Sequence, residues 1–453
     1  MTIAVTGAAL FMVVLDNLSV ASTLPAIQRS LHSSLSSLEW VLNAYILAFA
    51  VLMLTAAALG ERYGRRRVFT GGVVLFTIAS AAGALAPNAG TLIAARAVEG
   101  IGGAVIMPLT LTMMTAAFPA ERRGAALGIW AAISGFGVAL GPVAGGLLTD
   151  TLSWHWIFWV NVPVGVVVAA VGVRALAEGR GVAERVDPVG LVLVTAGLLG
   201  VVFATVRGGG LGWASTATLA SYGAGAALLA GFLAWEHRSD HPMVPLRLFR
   251  SRAFSTANAA NFLLAFAMFA GFLMLIQFFA HARGEGSLTV GLHTLFWTAM
   301  PMFVAPYAGR LGRRVAPAAV AASGLLLVAA GMLVLGLVAG PGASVAELAP
   351  AMVAIGVGIG FVIPNIAAAA LAAVPAADIG KASGILSTSR QVGSVAGVSV
   401  GLAIYQASAG AGEAGVATGV STVLFVAAAM AAIGALAASL RLPVLVALRP
   451  APA

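Results

Sequence analysis

Asp16 lies in LFMVVLDNLSVASTLP, residues 10–25, with no basic residue before it and Arg29 the nearest after it. Arg96 and Glu99 lie three residues apart in RAVEGIGGA. A charge at the centre of a spanning helix costs about 2.5–3.5 kcal/mol on insertion scales. Acids and bases kept there pair with one another, carry protons or line a path. Arg96 and Glu99, at i and i+3, share one helix face. A carboxyl next to a permanently charged guanidinium can bind and release a proton, and the bland alternative is a self-neutralising structural pair. Other chemistries find no residues. Without cysteine, no disulfide and no thiolate metal site can form. His237 and His241 have i, i+4 spacing, but Pro242 follows in a basic loop, so no metal site is expected. Gly356, Gly358 and Gly360 fall inside an apolar run with no strand before them, and no Walker lysine follows. The expectation is a protein without cofactor or metal, not an enzyme and not ATP-driven.

The elements that position these residues follow from composition. The chain is 60% hydrophobic and 9% charged, with a mean hydropathy of +1.02. Soluble domains carry about a quarter charged residues, so this reads as an integral membrane protein. Its 24 basic residues are dispersed over short loops, which argues against nucleic acid despite the high pI. No cleavable leader is expected, the first span acting as its own anchor. Runs of roughly 20 apolar residues mark spanning helices. Fourteen appear, near 5–26, 39–59, 68–86, 91–116, 124–149, 156–177, 188–206, 213–235, 253–280, 287–310, 315–338, 347–372, 380–406 and 416–438. Of the 24 basic residues, 19 fall in even-numbered loops or the C-terminal tail. Only Arg29, Arg207 and Arg283 fall in odd loops, and Arg96 and Arg390 lie within spans. The positive-inside rule then places the even loops and both termini in the cytoplasm.

An internal repeat organises the spans. Gly100, Gly102, Pro108, Pro119, Gly124, Gly128, Gly137 and Gly141 recur as Gly356, Gly358, Pro364, Pro375, Gly380, Gly384, Gly393 and Gly397, always 256 residues on. R-x-G-R-R at 62–66 returns at 310–314. Both matches pair a span with the eighth after it. The expected architecture is a six-helix half (1–180), two inserted helices and a linker (181–250), a second six-helix half (251–440) and a tail (441–453). An even shift keeps the halves parallel, as in transporters built around a midplane site.

With those motifs in order, the chain resembles the major facilitator superfamily over essentially its whole length, and more narrowly the fourteen-helix drug:proton antiporter branch. LGERYGRRR (59–67) is similar to the family's G-x-L-x-D-R-x-G-R-R-R, with Ala57 for the first glycine and Glu61 for the aspartate. LDNLSVASTLP resembles L-D-x-T-x-x-x-A-L-P, and RAVEGIGGA resembles R-x-x-Q-G-x-G-x-A with Glu99 for glutamine. GVALGPVAGG (137–146) matches the antiporter motif G-x-x-x-G-P-x-x-G-G, and WHWIFWVNVP and STSRQVG also look like branch signatures.

The resemblance implies an all-α membrane fold of 14 helices arranged 6+2+6. It implies proton coupling by Asp16, Arg96 and Glu99, where Glu99 is the departure that adds a second acid. It implies a cytoplasmic latch of Glu61, Arg62, Gly64, Arg65 and Arg66, with Glu61 facing the start of span 13 near Gly380; Gly309 in the second copy makes the latch asymmetric. The antiporter motif would be Gly137, Gly141, Pro142, Gly145 and Gly146, which as small residues also suit plain helix packing. Spans 1, 4, 9 and 12 would line a cavity touched by Asn43, Trp130, Asn261, Phe269 and Asn365. Span 9, NAANFLLAFAMFAGFLMLIQFF, is rich in Phe and Met and suits an adaptable apolar pocket. The function expected is export of lipophilic, cationic drugs or metabolites against protons, by a monomer in a bacterial cytoplasmic membrane. A lipid or lipophilic-metabolite flippase and a proton-coupled importer of the same fold are the alternatives.

Overall fold

In hydrocarbon, backbone N–H and C=O groups have no water to bond, so a spanning chain must satisfy them within itself, and helices do this. The computed structural model of this chain is all-helical. It describes residues 1–117, 123–179, 187–239, 242, 244–340, 342–375, 378–410 and 412–441. Among these residues the α-helices are α1 (Thr2–Leu31), α2 (Leu35–Tyr63), α3 (Arg65–Ala84), α4 (Ala89–Ala116), α5 (Arg123–Thr151), α6 (His155–Trp159), α7 (Asn161–Ala175), α8 (Pro188–Leu211), α9 (Thr216–Arg238), α10 (Arg252–Gln277), α11 (Ser287–Thr298), α12 (Met300–Arg314), α13 (Pro317–Val338), α14 (Val345–Ala372), α15 (Ile379–Ser408) and α16 (Gly412–Arg441).

Twelve helical runs are long and apolar enough to cross a membrane. The pairs α6–α7 and α11–α12 each make one such run, and α10 continues into its run through a π turn at Phe278–Ala282. The α11–α12 break falls at Ala299, just before Pro301, which has no N–H to give. Within the described residues of α2 the apolar stretch covers Ser37–Met53, and the sequence holds no charged residue from 40 to 59. α15 is diluted by Lys381, the STSRQ segment and its glycines, and falls outside the twelve.

Polar residues close the helix ends. Ser34, Ser215 and Ser251 accept the exposed first-turn N–H of α2, α9 and α10, and Asp187 does so for α8 with Pro188 behind it. Ser344 and Glu347 form a reciprocal capping box on α14. Gly64, at φ +107°, makes the turn between α2 and α3 that an L side chain would resist.

Two sets of helices pack in the same pairwise pattern. In the first, α1 lies on α5, α2 on α4, α3 on α4 and α3 on α7. In the second, α10 lies on α15, α12 on α14, α13 on α14 and α13 on α16. The glycines of the sequence repeat sit at matching contacts. Gly100 meets the Tyr45 backbone of α2, and Gly356 meets Trp297 and Met300 at the α11–α12 bend. Gly102 meets Phe76 of α3, and Gly358 meets Gly324 of α13. Gly137 and Gly141 meet α1, and Gly393 and Gly397 meet Phe262 and Phe266 of α10. The α8–α9 hairpin packs on itself, and α8 touches both α2 and α15.

Small residues at such crossings let helix backbones approach without a hydrophobic drive in lipid. A Cβ on Gly324 would lie 2.8 Å from the Gly358 oxygen. Gly324→Val should therefore destabilise the fold by about 1–3 kcal/mol, read as a lowered thermal midpoint in detergent, whereas Gly71→Ala, with nothing within 4 Å of the added carbon, should leave it unchanged.

Candidate functional site

Asp16, Arg96 and Glu99 come together, and all three are fully buried. α4 sets Arg96 and Glu99 on one face, and the Arg96 Nη1 donates to Glu99 Oε2 at 2.6 Å and to Asp16 Oδ2, on α1, at 2.6 Å. Arg96 Nε donates to the Val41 carbonyl of α2 at 3.4 Å. The guanidinium carbon stands 4.1 Å from the Tyr45 ring centroid, a cation–π contact. Asn161, the first residue of α7, donates to Asp16 Oδ1 at 3.0 Å and to Ser80 Oγ at 3.1 Å. Ser80, on α3, donates onward to the Phe158 carbonyl of α6 at 3.0 Å. Both Asp16 oxygens are thus engaged. Glu99 Oε1, Arg96 Nη2 and the Tyr45 hydroxyl are buried without a hydrogen-bond partner among the described residues.

Two carboxyls share one guanidinium here. Ionised throughout, the cluster carries a net negative charge; with one proton it is neutral. Such a site can exchange a proton for another cation, and its spare acceptor and donor can meet a ligand.

α5 joins this site to the rest of the bundle. A Cβ on Gly141 would lie 2.7 Å from Leu18 Cβ, and one on Gly145 would lie 2.7 Å from the Ser19 carbonyl oxygen. Ser19 donates to the Gly141 carbonyl at 2.7 Å and Ser22 bonds back to the Ser19 carbonyl at 2.8 Å. Gly137 lies against Val14. Gly146 faces the other way, onto Ser287 and Leu288 of α11, and Gly291 packs on the Pro142 backbone. Asp150, at the end of α5, accepts the N–H of Ser287 at 3.2 Å and of Leu288 at 2.7 Å. A carboxylate is favoured at a helix N-terminus in this way.

The remaining expected residues are scattered. The Glu61 side chain and the surroundings of Gly380 lie outside what is described, so their expected pairing does too. Arg62 is exposed over Tyr63. Arg66 and Arg67 reach Glu178 beyond α7 at 3.5 and 3.7 Å, and Arg65 N donates to the Gly179 carbonyl. Asn43 is fully buried and donates to Ser399 of α15 at 2.7 Å. Asn261 gives its amide to the Leu386 carbonyl, and Asn365 gives its own to Ala308 and Phe361. Trp130 bonds Thr110 at 3.2 Å, and Phe269 is half-buried against the core. Arg390, half-buried in α15, has no ion pair among the described residues.

A profile of the Major Facilitator Superfamily matches residues 6–398. The chain belongs to the Major Facilitator Superfamily. Its superfamily relatives include the multidrug resistance protein Stp of Mycobacterium tuberculosis, 36% identical over 88% of this chain and 74% of that protein. The tetracenomycin C resistance and export protein of Streptomyces glaucescens is 32% identical over 90% of this chain and 76% of its own. Among solved structures, the POT family transporter PepTSo superposes with a TM-score of 0.71 over 97% of both chains at 16% identity, which speaks to the fold alone. This facilitator is therefore a multi-pass membrane transporter, of a family and with relatives that are transporters rather than enzymes.

Asp150, Asn161 and Tyr45 have site roles that the sequence reading did not assign. Asn161 was within reach, since it sits in the WHWIFWVNVP signature. Asp150 lay just past the end of the apolar run and read as loop.

Removing the shared cation tests the cluster. Arg96→Ala leaves two buried carboxyls without a counter-ion and should cost about 3–5 kcal/mol, seen as a drop in the thermal midpoint in detergent. Adding Asp16→Asn to Arg96→Ala should recover part of that loss.

Proposed function

We propose that this facilitator is a proton-coupled antiporter that exports lipophilic cations, drugs or metabolites, from the bacterial cytoplasm by alternating access. The observation that carries this is the buried cluster of two acids on one arginine. Proton and cationic substrate compete for its single surplus negative charge, which is the exchange an antiporter requires. Asp16 has both oxygens committed to Arg96 and Asn161, whereas Glu99 keeps Oε1 unpartnered. Glu99 is then the acid that gains and loses the proton, and Asp16 the fixed partner that holds Arg96. A potential of about 150 mV acting on one charge supplies about 3.5 kcal/mol, a gradient of a few hundredfold. The relatives' roles, multidrug resistance and tetracenomycin C resistance and export, support the direction of transport.

The architecture we infer has all fourteen helical runs crossing, as 6+2+6, with the apolar core of α2 and the length of α15 completing the twelve. The matched packing of the two helix sets supports two parallel halves, 1–180 and 251–440, with the α8–α9 hairpin between them. The basic loops place both termini inside. In that orientation the Asp150 cap on α11 and the Asn43–Ser399 bond close the halves on the outer side. Glu61, Arg62, Gly64, Arg65 and Arg66 would latch the inner side when the carrier opens outward. Asn43, Trp130, Asn261, Phe269 and Asn365 would border the substrate path, and the carrier acts as a monomer. Arg390 favours a second reading of the cargo, an amphipathic anion, because it is a charge within a span that lacks an ion-pair partner among the described residues.

Proteoliposomes with an imposed pH gradient, tested with panels of lipophilic cations and anions, decide between these. Wild type should accumulate cations against the gradient. Glu99→Gln, which fixes the cluster in its neutral state, should lose gradient-driven uptake and weaken cation binding, and Asp16→Asn should retain part of the coupling. Complete uncoupling in Asp16→Asn, with Glu99→Gln still coupled, would move the proton to Asp16. No gradient-driven flux of any compound in the wild type contradicts the proposal. In the same assay Gly141→Leu, which cannot fit against Leu18, should abolish transport while the protein still reaches the membrane.

A further inference from the structure

A third acid lies buried between the two helix sets, away from Arg96. Glu39, near the start of α2, is only 2% exposed. Its Oε1 is buried with no hydrogen-bond partner among the described residues. It lines a small gap with Leu24 of α1, Leu38 and Leu42 of α2, Leu273 and Gln277 of α10, and Leu402 of α15. The gap has no room for a water molecule. Gln277 is 3% exposed, and its Oε1 is likewise buried without a partner. Thus two acceptor oxygens, one from each helix set, border a leucine-lined gap, and neither meets a donor among the described residues.

An ionised carboxylate without water or a counter-ion is strongly disfavoured in such a place. Turning the Gln277 amide over offers Glu39 one N–H and still no cation. Among the described side chains, the titratable groups at this end of the packed helices include Arg29 and His32 at the end of α1, His281 in the π turn after α10, Tyr405 on α15 and Glu413 at the start of α16. None of them lines the gap. Glu285 is occupied by Arg283 and His293, and Asp150 by the first turn of α11. A proton on Glu39 itself supplies the missing donor and removes the charge.

We propose that Glu39 is a second proton-binding site, separate from the Asp16–Arg96–Glu99 cluster, which reads the acidity of the outer compartment and controls the outer seam. The inference rests on the orientation given above, in which this end of α2 faces outward. When the seam is closed, Glu39 is dry and neutral. When it opens, water reaches the carboxyl, which ionises if the outside is alkaline and then resists reburial. An acidic exterior therefore favours closure. Its proton arrives from and returns to the outside, so it gates the carrier without being carried across. An exporter gated in this way returns inward only when protons are available to be exchanged.

The chain has no cysteine, so spin labels can be placed without background on Ser30→Cys at the end of α1 and Ala407→Cys at the end of α15, both exposed. Interspin distances in nanodiscs across a pH series read the seam. The wild type should shift from a short to a long distance as pH rises. Glu39→Gln should hold the short distance through the alkaline range, and Gln277→Leu should open only at higher pH than the wild type. A Glu39→Gln seam that opens over the wild-type pH range, or a wild-type seam that never opens, overturns the inference. The Glu99→Gln transport assay separates the two claims. Lost coupling there, with unchanged gating in Glu39→Gln, refutes the gate alone. Intact coupling there, with a fixed seam in Glu39→Gln, refutes the role of Glu99 and leaves the gate standing.

Discussion

One guanidinium answers two fully buried carboxylates. That constraint organises the first helix set. Arg96 and Glu99 come from α4, Asp16 from α1, the Val41 carbonyl and the Tyr45 ring from α2, Ser80 from α3, and Asn161 from α7. Leaving a buried charge uncompensated costs several kcal/mol, so these helices are held in register by electrostatics as well as by packing. Yet the cluster is not closed, because Glu99 Oε1 and Arg96 Nη2 remain unpartnered. A site that is nearly but not fully satisfied is one that a proton or a ligand can complete.

The cluster also touches the surface along which the helix sets meet. Three residues after Asp16, Ser19 bonds the Gly141 carbonyl of α5. Five residues further on α5, Gly146 bears on Ser287 of α11, and Asp150 caps that helix. The contacts from Asp16 to α11 are therefore continuous, made by the Ser19 hydroxyl, the glycines of α5 and the Asp150 carboxylate. In lipid such crossings rest on close packing and a few hydrogen bonds. Asp16 is thus linked through α5 to the surface on which the two helix sets meet.

Much of this was legible in the sequence, for identifiable reasons. Spans are announced by length and hydropathy, and the bilayer allows little else. Among the described residues twelve runs carry that signal, and α15 carries less of it because of Lys381 and STSRQ. Asp16, Arg96 and Glu99 stood out because a charge inside an apolar run is rare. The offset-256 glycines were visible as a register, and the structure gives them a common use at helix crossings. What sequence did not carry is pairing between distant helices. Glu39 read as the edge of a span, since only the approach of α1, α10 and α15 takes it out of water. Asp150 read as loop, since its partner is a helix start 137 residues away. Asn261 and Asn365 looked like ligand contacts, and backbone carbonyls a helix away take their amides in this conformation. Composition marks a residue as unusual, while its role depends on what the fold brings beside it.

The central claim is that proton and substrate compete for one surplus charge on the Asp16–Arg96–Glu99 cluster. Its most direct test follows protons rather than flux. Purified protein in weakly buffered detergent, with a pH indicator, is titrated with a lipophilic cation such as tetraphenylphosphonium. A proton should be released on binding by the wild type, whereas Glu99→Gln should release none and bind the cation more weakly. Cation binding without proton release in the wild type, or undiminished release in Glu99→Gln, would contradict the claim.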